Sequence, residues 1–310
     1  MWYKVIVVGW LYSVTHGDNQ CYTNGTWVTH ERALSYDIQK CGGNGIPNSI
    51  KQTNKYQYDW VPSTCDGGYK SVQKEDLLEK MRNEWMTFIG DSLSRNTYYA
   101  LVCLLYDEPY QSLHLPYYDD VRYYKTYNAT VVRMWSSFLV VPDEYVRSVK
   151  QKWPHPEPEL GVDITIKIGI ENSTILVLGT GGWWGESYRP LFMPSMVTVF
   201  EYMKYFSGRS VFQLQGRTTH YPCYNKTIPV EELSNETREY DTFRVVLKEL
   251  EERYKHVLFL KTEELSEYRV DGHPSSVVTY KSKKKDCQHW ILPGVPDTWI
   301  QILFNYVLYR

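Results

Sequence analysis

The stretch WMTFIGDSLSRNTYYALVCLL (residues 85–105) contains the pattern that decides the fold. Its apolar run MTFIG (86–90) is typical of a short buried strand, and SRNTYYALVCLL (94–105) has the apolar spacing of a helix. The polar turn between them joins a strand to a helix, as in a doubly wound sheet. Functional groups of such sheets gather beyond the carboxyl ends of the strands, so Ser92 in this turn is a candidate nucleophile.

A second interpretation of the same turn is a helix cap. Asp91, Ser92 or Ser94 could accept a hydrogen bond from the free N–H groups of the first helical turn, and both residue types are preferred there. For a nucleophile, those free N–H groups and the positive end of the helix dipole would instead stabilise an oxyanion. The residues of the turn alone leave the two roles open.

Strands and helices alternate along the rest of the chain. This alternation predicts an α/β fold, a three-layer α/β/α sandwich with a mostly parallel central sheet. The predicted strands outside the first stretch are 163–170, 174–178 and 256–260, and the predicted helices are 74–83, 241–254 and 297–310. Asp297, after Pro296, is the predicted N-cap of the last helix.

The N-terminal part of the chain has a different composition. Residues 1–17 begin with a cation, continue with a short apolar run and end in polar residues, as a secretory signal does. A truncated membrane anchor and a buried first strand are the alternatives. Residues 18–70 are rich in Gly, Asn, Tyr and Cys and lack periodic runs, which predicts an irregular subdomain held by disulfides. The α/β domain is expected to follow over residues 71–310.

Cysteines and glycosylation sequons both favour the secretory pathway. The six cysteines lack the paired spacing of a zinc site, and their even number predicts three disulfides. The chain also has five N-x-[ST] sequons, which predict a protein of the Golgi lumen or the extracellular space. The cysteines are Cys21, Cys41, Cys65, Cys103, Cys223 and Cys287, and the sequon asparagines are Asn24, Asn128, Asn172, Asn225 and Asn235.

Composition and charge exclude several classes of function. The net charge of −2 provides no field that would attract nucleic acid. The sequence has no metal-binding spacing, P-loop or dinucleotide fingerprint, so we expect no bound metal or cofactor. The 28 Tyr and 11 Trp include rings that could stack on sugars. The aromatic content therefore hints at a carbohydrate partner. Separately, we expect the protein to be a monomer.

A candidate base for Ser92 lies near the C-terminus, in KDCQHW (285–290). Asp286 and His289 are three residues apart, so in a turn their side chains would point the same way. The carboxylate would hold the imidazole tautomer while the second ring nitrogen faces Ser92, as in a Ser-His-Asp triad. A capping aspartate beside a half-buried histidine is the structural alternative. His273, in DGHPSS, is a second candidate base or a residue that shapes its loop.

Several segments resemble one plant family. FIGDSLSRN, DGHPS, DCQHW and LPGVPDTW closely resemble segments of the trichome-birefringence-like polysaccharide O-acetyltransferases, in the PC-esterase branch of the SGNH/GDSL hydrolase fold. Further segments, from CYTNGTWV (21–28) to CYNKTIPV (223–230), also resemble segments of that family and occur in the same order. The resemblance implies that Ser92 is the nucleophile, His289 its base and Asp286 the group that orients the base.

The resemblance also implies a reaction for the domain at 71–310. Ser92 would take an acetyl group from a donor, acetyl-CoA or another acetyl carrier. A sugar hydroxyl deprotonated by His289 would then receive it, which makes the expected protein an O-acetyltransferase with a polysaccharide or glycan acceptor. One alternative is a carbohydrate acetylesterase, in which water reaches the same acyl-enzyme. The other is a glycan-binding protein that has kept the fold but lost catalysis.

The chain departs from that family in GTGGWW (179–184). The plant pattern reads Asn-Thr-Gly-His-Trp-Trp, so Gly179 and Gly182 stand where Asn and His are expected. The Asn is an expected donor of the oxyanion hole, and loss of one donor costs roughly 3 kcal/mol. The candidates for the oxyanion hole and for substrate contacts are Gly90, Asp91, Arg95, Asn96, Gly181, Gly182, Trp183, Trp184, His220 and His273. The two tryptophans could form the floor of a sugar cleft or pack in the core.

The comparison with the plant pattern also bears on the cysteines. That pattern has a cysteine where this chain has Ile291, and a further N-terminal cysteine that is absent here, so we expect one disulfide fewer. The expected pairs are Cys21–Cys65, Cys41–Cys103 and Cys223–Cys287. The last of these would fasten the loop of the candidate base to the core.

Overall fold

A computed structural model describes eleven parts of the chain. They are residues 21–29, 36–41, 58–63, 72–140, 161–185, 188–214, 223, 226, 228–230, 238–277 and 286–307. The predicted signal at 1–17, His220, and two of the sequon asparagines, Asn225 and Asn235, lie outside the described residues.

The N-terminal part forms a small sheet that packs on the rest of the molecule. Strands β1 (Gly25–Thr29) and β2 (Tyr58–Pro62) pair antiparallel, and helix α1 (Ile38–Cys41) lies between them in the chain. The indole N–H of Trp27 on β1 donates to the carbonyl of Leu265, and the Arg269 guanidinium lies 4.7 Å from the Trp27 ring centroid. Aromatic packing and a cation–π contact thus hold this sheet in place.

The second sheet has seven strands and is mostly parallel, as predicted. Its elements are α2 (Lys74–Lys80), β3 (Trp85–Gly90), α3 (Ser92–Leu104), β4 (Gln111–Ser112), β5 (Asp120–Tyr124), β6 (Ala129–Trp135), α4 (Ile164–Asn172), β7 (Ile175–Thr180), α5 (Arg189–Met203), β8 (Arg209–Leu214), α6 (Arg238–Arg253), β9 (Val257–Phe259), α7 (Glu263–Glu267), α8 (Pro274–Val277) and α9 (Val295–Val307). The strand order is β4-β5-β6-β3-β7-β8-β9, and only β4 and β5 run antiparallel to their neighbours.

Helices cover both faces of this sheet, which confirms the predicted three layers. Successive side chains of β3 alternate between the faces, because a strand has a period of two. Phe88 belongs to the core shared with α2, α3 and α9, and Ile89 to the core shared with α4, α5 and α6. Helix α3 packs directly against α9, so the helix that begins at Ser92 lies beside the C-terminal helix.

The strand predicted at 163–170 is wrong, since this segment forms helix α4. Asp163 is its N-cap, and its carboxylate accepts hydrogen bonds from the N–H and the hydroxyl of Thr165, at 2.9 and 2.8 Å. Ile166 and Gly169 are buried, three residues apart as on a helix face. A Cβ on Gly169 would lie 2.8 Å from Cδ1 of Ile89, so glycine allows the helix to approach the sheet.

The predicted N-cap of the last helix is also wrong. Helix α9 begins at Val295, two residues earlier, with Pro296 in its first turn, where proline is well tolerated. The Asp297 carboxylate accepts hydrogen bonds from the N–H of Gly294 and the hydroxyl of Tyr36, both at 2.6 Å. Asp297 therefore reaches back to the start of the helix and ties it to the N-terminal part. Burial raises its pKa to about 7, although these hydrogen bonds act in the opposite direction.

Two of the expected disulfides are present among the described residues. Cys41–Cys103 joins α1 to α3, and Cys223–Cys287 fastens the segment that precedes His289. Cys21 is also disulfide-bonded, whereas Cys65, its expected partner, lies outside the described residues.

The three sequon asparagines that the structure describes, Asn24, Asn128 and Asn172, are all exposed. None of the helices in the described part of the chain is both long enough and apolar enough to span a bilayer.

Candidate active site

Asp91, rather than a serine, caps the helix that follows strand β3. Its Oδ1 accepts hydrogen bonds from the N–H groups of Leu93 at 2.9 Å and Ser94 at 3.3 Å. Ser94, the other expected cap, contributes only its N–H. Ser92 is the first residue of α3 and is 9% exposed. The hydroxyl of Ser92 is therefore not needed for capping, which answers the question that the turn sequence leaves open.

Gly90 allows three strand ends to meet beside Ser92. In the parallel sheet it pairs with Gly179 of β7 on one side and Trp135 of β6 on the other. A Cβ at Gly90 would lie 1.9 Å from the Gly179 carbonyl oxygen, so only glycine fits there. The Gly90 carbonyl accepts a hydrogen bond from the Ser136 N–H at 3.0 Å. Gly90 thus has a structural role at the site.

The second oxygen of Asp91 connects the helix start to the loop after β7. Asp91 Oδ2 accepts a hydrogen bond from the N–H of Gly182 at 2.9 Å, and the N–H of Gly181 also acts on this carboxylate. The side chain is fully buried, and this burial raises its pKa to about 6, although the main-chain donors act to lower it. The main-chain N–H groups of the two glycines are thus directed at Asp91.

The predicted contact between Asp286 and His289 is present. His289 Nδ1 lies 2.9 Å from Asp286 Oδ2, and Asp286 Oδ1 accepts from the main-chain N–H groups of Gln288 and His289. Burial would raise the pKa of Asp286, but the hydrogen bonds and charge of His289 outweigh it and lower the pKa to about 2. An ionised Asp286 keeps the proton of His289 on Nδ1. His289 Nε2 is buried and has no hydrogen-bond partner among the described residues.

Asn96 holds the histidine loop against the helix that starts at Ser92. Its amide Nδ2 donates to the carbonyl of Trp290 at 3.2 Å, and its Oδ1 accepts from the Trp290 N–H at 3.4 Å. Ser92 and Asn96 are four residues apart on α3 and share one face. The structure therefore holds the main chain that follows His289 against the helix face that carries Ser92. The Ser92 hydroxyl and His289 Nε2 are not hydrogen-bonded to each other here, and such contacts often tighten only with substrate.

Comparison with known proteins gives the family. A model described as "PC-Esterase: GDSL/SGNH-like Acyl-Esterase family found in Pmr5 and Cas1p" matches residues 71–205 and 203–306. The chain belongs to the PC-esterase family. This confirms the resemblance seen in the sequence and the SGNH-like α/β fold.

The relatives of this PC-esterase include plant proteins at low identity. Protein trichome birefringence of Arabidopsis thaliana is 27% identical over 93% of this chain, and Protein trichome birefringence-like 31 of the same plant is 26% identical over 90%. Xylan O-acetyltransferase 7 of Oryza sativa subsp. japonica is 28% identical over 92% of the chain. The chain spans 56%, 78% and 58% of the lengths of these three relatives.

His273 of this PC-esterase lies beneath the histidine loop. It is 1% exposed, its Nδ1–H donates to the carbonyl of His289 at 2.8 Å, and its ring centroid lies 4.0 Å from that of Trp290. Burial lowers its pKa to about 4, so the ring is neutral near pH 7. Ser275, two residues later, donates its N–H to the carbonyl of Asp286 at 3.0 Å. Of the two roles open for His273, the structure favours shaping the loop.

The two tryptophans after β7 have different environments. Trp184 is 4% exposed, packs against Phe138 and Phe192, and donates its indole N–H to Thr180 Oγ1 at 2.8 Å. Trp183 is 48% exposed. One ring thus packs in the core, and the other is available at the end of β7.

Sequence reasoning did not single out Trp135, the last residue of β6, as a candidate for the site. It is 37% exposed, and its pairing with Gly90 places it on the other side of β3 from Trp183. Its signal in the sequence was a tryptophan at the end of an apolar run, which the pattern alone does not connect to Ser92.

Among the described residues, no group of three His, Cys, Asp or Glu side chains is arranged to hold a metal ion.

Proposed function

We propose that this PC-esterase transfers an acetyl group to a hydroxyl of a polysaccharide through an acetyl ester on Ser92. The observation that carries the proposal is the Asp286–His289 pair, whose buried Nε2 has no hydrogen-bond partner among the described residues, on a loop that Asn96 of α3 holds through Trp290. The family description as acyl-esterases and the relative named as a xylan O-acetyltransferase support acyl transfer to a polysaccharide.

In the first half of the reaction, Ser92 attacks the donor. His289 Nε2 accepts the proton of the Ser92 hydroxyl as Oγ bonds to the acetyl carbon, which forms a tetrahedral intermediate. The intermediate collapses when the bond to the donor breaks and the leaving group takes the proton from His289. The products are the acetyl ester of Ser92 and the free carrier, which we propose is coenzyme A or another acetyl carrier.

In the second half, the acceptor hydroxyl reverses these steps. His289 takes the proton of a sugar hydroxyl, and the hydroxyl oxygen attacks the acetyl carbon of the Ser92 ester. When the ester bond breaks, the Ser92 oxygen regains the proton from His289. Asp286 stays ionised throughout, because its pKa is lowered to about 2, and it stabilises the imidazolium form of His289.

The start of helix α3 supports both halves of the reaction. The N–H of Ser92 has no intrahelical acceptor, since it is the first residue of the helix. With the positive end of the helix dipole, it can stabilise the negative oxygen of the tetrahedral intermediate.

A polysaccharide acceptor fits the aromatic rings on either side of Ser92. Trp135 ends β6, one neighbour of β3, and Trp183 follows β7, the other, and both rings are partly exposed. Sugar rings have apolar faces that can lie against indole rings. We propose that the acceptor chain lies across the carboxyl ends of β6, β3 and β7.

The disulfides also favour an oxidising compartment, the Golgi lumen or the extracellular space.

The test is acetyl transfer by the native protein and by Ser92→Ala. Both are incubated with acetyl donors and plant polysaccharides, and mass spectrometry measures acetyl groups on the glycan. Loss of a nucleophile lowers the rate by about 10⁶-fold, so we expect no measurable transfer by the variant. Ser94→Ala, a change of the same size in the same helical turn, should keep most of the activity.

Two other outcomes would change the proposal. The family description as acyl-esterases favours one alternative, in which water attacks the acetyl ester of Ser92. Release of acetate from acetylated glycan, without transfer to an acceptor, would support an acetylesterase. Equal rates for the native protein and Ser92→Ala would contradict both the acetyltransferase and the acetylesterase function. Retained glycan binding would then indicate a glycan-binding protein.

A further inference from the structure

The oxyanion site at Ser92 needs a second donor from another part of the chain. Of the first N–H groups of α3, those of Leu93 and Ser94 donate to the Asp91 side chain, and that of Arg95 donates to the Asp91 carbonyl. Only the N–H of Ser92 is left for the reaction. Oxyanion holes act through several positioned donors, and each contributes to the rate.

The first two main-chain N–H groups of the loop after β7 are already used within the fold. Those of Gly181 and Gly182 are directed at the Asp91 carboxylate, with the Gly182 nitrogen 2.9 Å from Oδ2. Neither glycine has a side chain. A side chain that reaches this loop is therefore a candidate for the second donor.

The two polar side chains of α3 named as candidates have other contacts. The amide group of Asn96 uses its nitrogen and its oxygen on the main chain of Trp290. The guanidinium of Arg95 lies 5.9 Å from the ring centroid of Tyr99, one turn further along the helix from Ser92. Asn96 thus positions the histidine loop, and Arg95 is directed along the helix.

The side-chain amide of Gln288 lies directly over Gly182. A Cβ added to Gly182 would be 2.4 Å from Gln288 Nε2, 3.2 Å from Asp91 Oδ2 and 3.6 Å from Leu93 Cδ1. The space beside Gly182 is thus bordered by the Gln288 amide and by side-chain atoms of the two residues that flank Ser92. It is half-buried, and no described residue accepts a hydrogen bond from its Nε2.

The backbone around Gln288 is firmly held. Its N–H donates to Asp286 Oδ1 at 3.1 Å, and the preceding residue, Cys287, is disulfide-bonded to Cys223. The following residue is His289, the proposed base. A side chain with so fixed a backbone loses little entropy when it orients a donor.

We propose that Gln288 is a catalytic residue whose Nε2–H donates to the oxyanion of the tetrahedral intermediate, together with the N–H of Ser92. The inference rests on the proposed Ser92 chemistry. It also gives a reason for Gly182, since a larger residue there would displace the amide of Gln288. In the plant pattern a histidine stands at the position of Gly182, and here the Gln288 amide occupies the space beside it.

The test compares Gln288→Met, which has similar length but no donor, with the native protein. The rate of Ser92 labelling by a fluorophosphonate probe is measured, because phosphonylation also places negative charge on an oxygen as fluoride leaves. We expect labelling to slow by about 100- to 1,000-fold, as on loss of one oxyanion donor. In acetyl transfer, kcat should fall by a similar factor with little change in KM.

Three further variants separate a donor role from a structural one. Gln288→Glu has the same shape but carries a negative charge, so we expect it to be slower than Gln288→Met. Gly182→Ala should also slow labelling, and it should add little to the effect of Gln288→Met, because both act through one amide. Gln111→Met, on the exposed strand β4, is the control and should label at the native rate. Thermal unfolding shows which variants are folded.

The outcomes separate this inference from the proposed function. If the probe does not label Ser92 in the native protein, both are contradicted. If Ser92 is labelled but Gln288→Met, Gln288→Glu and Gly182→Ala all react at the native rate, only the role of Gln288 is overturned. If Gln288→Met does not fold, the rate of Gly182→Ala decides.

Discussion

The two histidines near the C-terminus, His273 and His289, are both candidate bases in the sequence and have different environments in the structure. His289 is 28% exposed, has a carboxylate on Nδ1 and has an unpartnered Nε2. His273 is 1% exposed and donates its Nδ1–H to the carbonyl of His289. A histidine can act as a base only where its first ring nitrogen has a suitable partner and its second ring nitrogen can reach the nucleophile. One histidine is the proposed base, and the other supports the main chain of that residue.

The largest expected effect on activity comes from removing the imidazole ring of each histidine in turn. We expect His289→Ala to lower kcat by about 10⁶-fold, as loss of a triad base does. His273→Ala should lower kcat far less, because its buried ring donates to the carbonyl of His289 and acts through the loop. Acetyl transfer or fluorophosphonate labelling measures both variants. An inactive His273→Ala together with an active His289→Ala would show that the base is misassigned.

Removing the carboxylate partner should have the next largest effect. Asp286→Ala leaves Nδ1 of His289 without its acceptor, so the tautomer and the charged imidazolium are less stable. We expect kcat to fall by about 10⁴-fold, less than for His289→Ala, because the orienting group is the less costly loss.

The pH dependence of kcat adds a second measurement on the same residue. The pKa of Asp286 is lowered to about 2, so this group remains ionised at any pH at which the enzyme is assayed. A loss of activity of the native protein between about pH 4 and 7 would therefore belong to another group. Asp286→Asn, which cannot ionise, should act at a much lower rate, and any loss of its activity at low pH must belong to another group. A profile of the native protein that follows the titration of Asp286 would contradict this assignment.

The parts of the site that were predictable are those encoded by local spacing. The run from 85 to 105 indicates a strand, a turn and a helix, and all three are present. The three-residue spacing of Asp286 and His289 indicates a shared direction, and the two side chains are hydrogen-bonded. Both features depend on residues within a few positions of each other. The family resemblance then links the two distant segments.

The parts that were not predictable depend on contacts between distant segments. Gln288 lies over Gly182, more than one hundred residues earlier in the chain, and no periodicity reports such a contact. Asp91 serves the helix start and the loop after β7 together, which a capping rule alone does not indicate. The strand prediction for the segment after Asp163 was wrong for a different reason. The isoleucines of this segment alternate with other residues, as apolar residues do in a strand. The aspartate at its start, however, is the N-cap of a helix.

The smallest expected effect concerns stability and sharpens the contrast between the histidines. His273→Gln removes a buried ring that packs on Trp290, and we expect the free energy of unfolding to fall by about 1–3 kcal/mol near pH 8. Burial lowers the pKa of His273 to about 4, from 6.5 in the unfolded chain. Between these values the unfolded state binds more protons, so the stability that neutral His273 contributes is present above pH 6.5 and is lost as the pH falls toward 4.

The stability difference between the native protein and His273→Gln should therefore shrink as the pH is lowered from about 8 to 5, as measured by urea unfolding at each pH. Taking the difference cancels the buried carboxyls, such as Asp91 and Asp297, which titrate in the same range in both proteins. A gap for His273→Gln that stays constant or widens on acidification would show that His273 is not held neutral, and the contrast between the two histidines would fail.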